Sequence, residues 1–138
     1  MIIDKLIEKI IDMQNPTCVG LDTQLGYLPE EMRAGVSSFG QAADAILAFN
    51  KKIVDSVCDI VPAVKVQIAY YEQYGAAGVQ AFLDTVAYAR GKGLFVIADC
   101  KRNDIGSTAA RYSAAYLGET ALGDAKIPAA GCDFLTVN

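Results

Sequence analysis

Four short β-rich runs, spaced by stretches of helical pattern, constrain this chain more than any other feature. They are residues 17–22 (TCVGLD), 63–69 (AVKVQIA), 94–101 (LFVIADCK) and 133–138 (DFLTVN). Three are largely continuous in apolar residues instead of alternating. Continuity predicts strands covered on both faces, as in a parallel sheet wrapped by helices. Residues 2–11 place apolar side chains at 2, 3, 6, 7, 10 and 11, a helical stripe. Residues 40–58 and 71–90 carry similar stripes, and residues 107–117 form an alanine- and tyrosine-rich helix that Ser107 or Thr108 could cap. Gly91-Lys92-Gly93 reads as a helix stop just before the third strand. Residues 23–40 hold Gly, Pro and Ser and predict a long loop. The order, one helix and then alternating strands and helices, predicts a parallel α/β sheet or barrel.

Composition narrows the function classes. The chain has 138 residues and a net charge of −4, so nothing draws it broadly to nucleic acid or to an anionic membrane. It has no histidine, which removes histidine general bases, Ser–His–Asp triads and histidine metal sites. Cys18, Cys58, Cys100 and Cys132 show no C-x-x-C spacing. They are expected to be buried, reduced thiols of a cytoplasmic protein. Charges interrupt the N-terminal stripe, so it is not expected to be a signal peptide, and no run approaches the roughly 20 apolar residues of a membrane span. Gly75 and Gly78 lie within a helical stretch and lack dinucleotide-fingerprint spacing. Tyr70, Tyr71 and Tyr74 read as packing residues, and Lys51-Lys52 as a solvated helix face.

The third run carries the chemistry. Asp99 and Lys101 are two apart, so on a strand they face the same way. They follow five apolar residues and therefore sit at the C-terminal end of a buried strand, the end where barrel enzymes place their reactive groups. Lys65 interrupts the second run, and a lysine within a parallel strand is costly unless paired. Asp99 on the adjacent strand is its natural partner, and Asp22 ends the first strand at the same face. A structural ion-pair network is the plainer reading of these charges. Four ionisable groups at the ends of three strands favour a functional site.

The run Asp99-x-Lys101-Arg102-x-Asp104-Ile105-Gly106-Ser107-Thr108 resembles the D-x-K-R-x-D-I-x-x-T signature of the orotidine 5'-phosphate decarboxylases. Val19-Gly20-Leu21-Asp22, Val64-Lys65-Val66-Gln67 and Leu135-Thr136-Val137-Asn138 resemble the first-, second- and fourth-strand motifs of that family's longer bacterial branch. The resemblance runs along the whole chain in order. It implies the first half of a (β/α)8 TIM barrel, with parallel strands one to four and intervening helices, as one partial domain over residues 1–138. A final strand without a following helix leaves an open sheet edge, so the chain is expected to be a shortened one.

The resemblance also implies decarboxylation of orotidine 5'-monophosphate to uridine 5'-monophosphate, in pyrimidine synthesis, without metal or organic cofactor. By the same carry-over, Lys101 protonates C6 of the pyrimidine, Asp99 lies beside the departing carboxylate, and Lys65 and Asp22 contact the ribose. Asp104, Ile105 and Thr108 would enter the site of a neighbouring subunit, making the enzyme a homodimer. Phosphate sites on barrels are built after later strands, so a chain of four strands is expected to lack activity alone. Three alternatives stand beside this reading. One is a metal-dependent relative, a hexulose-phosphate synthase or keto-gulonate-phosphate decarboxylase. Another is a Schiff-base aldolase, which the flanking carboxylates disfavour by keeping the lysine protonated. The third is a non-catalytic half-barrel assembly module.

Overall fold

The four apolar runs become the four strands of one parallel sheet. The computed structural model describes all 138 residues. In chain order the elements are α1 (Ile2–Met13), β1 (Cys18–Leu21), a 3-10 turn (Leu25–Tyr27), α2 (Glu30–Arg33), α3 (Phe39–Val57), β2 (Ala63–Gln67), α4 (Ala69–Glu72), α5 (Gly75–Gly91), β3 (Phe95–Asp99), α6 (Gly106–Tyr116), β4 (Thr120–Leu122), β5 (Ala125–Ile127) and β6 (Phe134–Leu135). The sheet order is β1-β2-β3-β6, and every neighbouring pair is parallel. Each crossover carries helix: α3 between β1 and β2, α4 and α5 between β2 and β3, α6 between β3 and β6.

The two faces of the sheet differ. Val64, Val66, Val96 and Ala98 are buried together with Ile46 and Val54 of α3 and Phe82 and Val86 of α5. The opposite face carries Cys18 and Gly20, which are exposed, and Lys65, Gln67, Phe95 and Ile97, which are half-buried. The expectation of strands covered on both faces therefore holds for one face only. The cysteine reading changes with it. All four are free; Cys100 and Cys132 are buried and Cys58 is half-buried, but Cys18 is exposed because it lies on the open face.

Several local expectations are refined. The 71–90 stretch is two helices, because Gly75 takes φ +60° and turns the chain between α4 and α5. The 23–40 loop contains the 3-10 turn and α2, and α3 starts at Phe39, where the Ser38 side chain accepts from Gln41 N–H at 3.2 Å. Neither Ser107 nor Thr108 caps α6. The cap position is Ile105, without a side-chain bond, and both hydroxyl residues fall inside the first turn. The Gly93 stop behaves as read, with φ +82° and its N–H donating to the Arg90 carbonyl at 2.8 Å. The β4–β5 hairpin was not expected. It is antiparallel, turns at Gly123 (φ +61°) and is exposed along both strands. No helix is long and apolar enough to cross a membrane.

Candidate active site

Strand alternation brings Lys65 and Gln67 of β2 to the open face, and parallel register sets Gln67 beside Asp99, the last residue of β3. Asp99 is the hub. Its Oδ2 accepts from Lys65 Nζ at 2.7 Å and from Gln67 Nε2 at 2.9 Å. Its Oδ1 accepts from Lys101 Nζ at 2.8 Å and from the Thr136 hydroxyl at 2.9 Å. Two cations and two neutral donors thus saturate one carboxylate whose side chain is only 10% exposed. Asp22 adds a second anion, its Oδ1 lying 3.6 Å from Lys65 Nζ. That oxygen is buried and has no hydrogen-bond partner.

Lys101 reaches Asp99 by a route that strand alternation does not supply. β3 ends at Asp99, and Lys101 lies beyond it with φ +48°. A non-glycine residue in the left-handed region is uncommon and persists only where its surroundings hold it. Here the Lys101 backbone N–H donates to the Thr136 hydroxyl at 3.1 Å while its ammonium binds Asp99. The expectation that Asp99 and Lys101 share a strand face is corrected accordingly: a backbone turn, not the pleat, makes them meet.

The charges of the cluster support one another. Burial alone would push the Asp99 carboxyl upward, but hydrogen bonds from Lys101, Lys65 and Thr136 and the Lys65 charge outweigh it and hold it well below the usual carboxylate range. Burial alone would push the Lys65 ammonium down. The hydrogen bond to Asp99 and the charges of Asp22 and Asp99 outweigh it and hold Lys65 above the ordinary lysine value. Both groups are therefore ionised at neutral pH.

Asp22, Lys65, Asp99 and Lys101 come together as the sequence predicted. Asp104, Ile105 and Thr108 do not join them. Asp104 Oδ1 accepts only from Ile105 N–H at 2.8 Å, Ile105 is 86% exposed, and Thr108 is exposed on the first turn of α6. Arg102 pairs with Glu72 of α4 and donates to the Cys100 carbonyl at 2.7 Å, tying the loop to the neighbouring crossover. Gln67 and Thr136 were not foreseen as site residues. The available signal was their spacing, two beyond Lys65 on one strand and just past the end of the strand beside β3. Nowhere do three His, Cys, Asp or Glu side chains gather as a metal site would require. Lys65, Asp99 and Lys101 line no closed hollow of this chain; they stand on the open face of the sheet.

Known proteins resemble this chain in sequence and in fold. The family model described as orotidine 5'-phosphate decarboxylase / HUMPS matches residues 16–138. An orotidine 5'-phosphate decarboxylase from Clostridium perfringens (strain SM101 / Type A) is 44% identical over 138 residues, covering 100% of this chain and 44% of the relative. The one from Clostridium acetobutylicum is 43% identical with the same coverage. A solved Toxoplasma gondii chain, assigned as an orotidine-monophosphate decarboxylase, matches with a TM-score of 0.76 at 25% identity, over 97% of this chain and 39% of its own. Leishmania donovani OMP decarboxylase matches with a TM-score of 0.65 at 20% identity, over 96% of this chain and 43% of its own, a likeness of fold. The chain spans less than half the length of these relatives.

Proposed function

Since this chain belongs to the orotidine 5'-phosphate decarboxylase / HUMPS family, we propose that it supplies the reacting charges of an orotidine 5'-monophosphate decarboxylase, forming uridine 5'-monophosphate in pyrimidine biosynthesis. The observation that carries the reading is the Lys65–Asp99–Lys101 array, both lysines within 2.8 Å of one carboxylate. In the proposed reaction the bond between C6 and the carboxylate breaks, carbon dioxide leaves, and the electron pair stays at C6. Lys101 gives its proton to that carbon. The ring offers no covalent sink for the pair, so stabilisation must be electrostatic, and a cation already held in place supplies it without reorganising. Asp99 fixes Lys101 and sits beside the departing group. Lys65 and Asp22 meet the ribose.

Asp104, Ile105 and Thr108 serve a neighbouring subunit in this proposal, in keeping with their exposure and with the absence of any bond to Lys65, Asp99 or Lys101. The phosphate is gripped by residues outside this chain. Remote contacts of that kind drive catalysis at the reacting centre, so the 138-residue chain alone is proposed to be inactive.

The test is a complementation assay. The chain is expected to give no loss of orotidine 5'-monophosphate absorbance alone. Co-expressed or fused with the part of the Clostridium perfringens relative that it does not match, it is expected to turn over. Lys101→Ala in that assembly should lower kcat at least about 1,000-fold, the scale of losing a proton donor and a charge at the reacting atom. Turnover by the chain alone, or an active Lys101→Ala assembly, would overturn the proposal. A rate that depends on added magnesium would favour the metal-dependent branch of the family.

A further inference from the structure

Asn50 has no place in the array just described, yet it is the centre of the only buried side-chain network beneath it. It lies in the middle of α3 with 0% exposure. A buried amide inside a helix is destabilising unless its polar atoms are partnered. Its Oδ1 accepts from the Thr23 hydroxyl at 2.6 Å, and its Nδ2 donates to the Tyr71 hydroxyl at 2.7 Å and, more distantly, to Thr85 Oγ1 at 3.5 Å. Thr85 in turn donates to the Ala81 carbonyl at 2.7 Å. One side chain therefore joins the segment after β1 to α4 and α5.

Thr23 directly follows Asp22. Leu21 and Thr23 are both buried toward the helices, so Asp22 between them points to the open face, 3.6 Å from Lys65. At that distance it is an ion pair without a hydrogen bond, and its Oδ1 has no other partner. No side-chain bond aims the Asp22 carboxylate. Its aim comes from the backbone, and the backbone beyond β1 is anchored by the Thr23–Asn50 bond.

We propose that Asn50 is a positioning residue of this site, holding Thr23 so that the Asp22 carboxylate faces Lys65. Its partners fit that task, since the 2.6 Å bond is the shortest of the network and lies on the branch that leads to the charges. The groups facing Lys65 are Asp22 and the Cys18 thiol from β1 and its extension, Asp99 from β3, and, through Asp99, Lys101. Of these, Asp22 alone depends on the Thr23 anchor.

The inference rests on the proposed function only for the meaning of Lys65. It is tested without substrate, so a failed decarboxylation assay leaves it standing, and its own failure leaves the decarboxylase reading intact. The measurement is the NMR titration of the Lys65 side chain in the 138-residue chain. Thr23→Val and Asn50→Ala should each shift Lys65 to a lower pKa, and the double variant should shift it no further, because both cut one link. Thr23→Ser keeps the hydroxyl and should restore the wild-type titration. Thr85→Val, on the long branch, should leave Lys65 unmoved. A merely structural Asn50 would lower the melting temperature in Thr23→Val and Asn50→Ala while Lys65 titrated as in the wild type, and that result would overturn the proposal. If Asn50→Ala does not fold, Thr23→Val and its serine rescue decide.

Discussion

Asp99 shows at the scale of one residue how a buried carboxylate can be kept charged. Four donors share its two oxygens, so its ionised form is matched and its protonated form would leave donors idle. Because the folded carboxyl titrates below its unfolded value of about 3.9, its stabilisation is fully present above that value. It fades as pH falls through the lower folded value. Asp99→Asn should therefore lose about 1–3 kcal/mol at pH 7, with the upper end tempered by the partial exposure of both lysines. Urea unfolding should show the same gap from pH 7 to pH 5 and a narrowing gap below pH 4. A gap that widened with acid would contradict the array as described. Lys65, Asp99 and Lys101 were legible in the sequence because charges inside apolar runs demand partners. Gln67 and Thr136 were not, since a neutral polar residue in or beside an apolar run looks like any other. The left-handed backbone at Lys101 was equally hidden, because no glycine marked it.

Helices and strands were legible as elements wherever an apolar period was long. The helices of the three crossovers and the four strands form close to the expected positions, apart from the split between α4 and α5. What failed were breaks set by contacts distant in sequence or by short turn chemistry. Gly75 divides α4 from α5, and their close packing then depends on Gly78, where an added Cβ would lie 1.8 Å from the Tyr71 carbonyl oxygen. That approach is backbone against side chain and cannot be relieved by a rotamer. Gly78→Ala should destabilise by about 3 kcal/mol, at the upper end for overpacking, and should disturb the Tyr71–Asn50 bond. Gly91→Ala, with nothing within 4 Å of the new Cβ, should change stability by less than about 1 kcal/mol in chemical denaturation. Equal effects of the two substitutions would contradict the close packing of α4 on α5. The hairpin after α6 leaves no pattern in the sequence because its strands are three residues long and solvent-exposed, so burial imposes no alternation on them.

For the molecule as a whole, the decisive property is that its sheet has two free sides. β1 and β6 each have a single neighbour, and one face of the sheet stays open. Unpaired strand edges are templates for further pairing. Light scattering should accordingly show an average mass that rises above the monomer with concentration and falls again on dilution. A constant monomer mass across that range would show the edges to be protected. The parallel order and the crossovers were legible from the spacing of the runs, but the open face was not, because continuous apolar composition looks the same whether one side of a strand or both are covered.

One consequence follows from Asp99 having two cations instead of one. A lysine that surrenders its proton becomes neutral, and a carboxylate paired with it alone would be stranded at that instant. Here Lys65 remains 2.7 Å away on the other oxygen, so Lys101 has an understudy. In the proposed reaction the aspartate would not need to retreat, recruit water or pick up a proton of its own while the lysine is spent, and the geometry would still be standing when the next proton must be loaded.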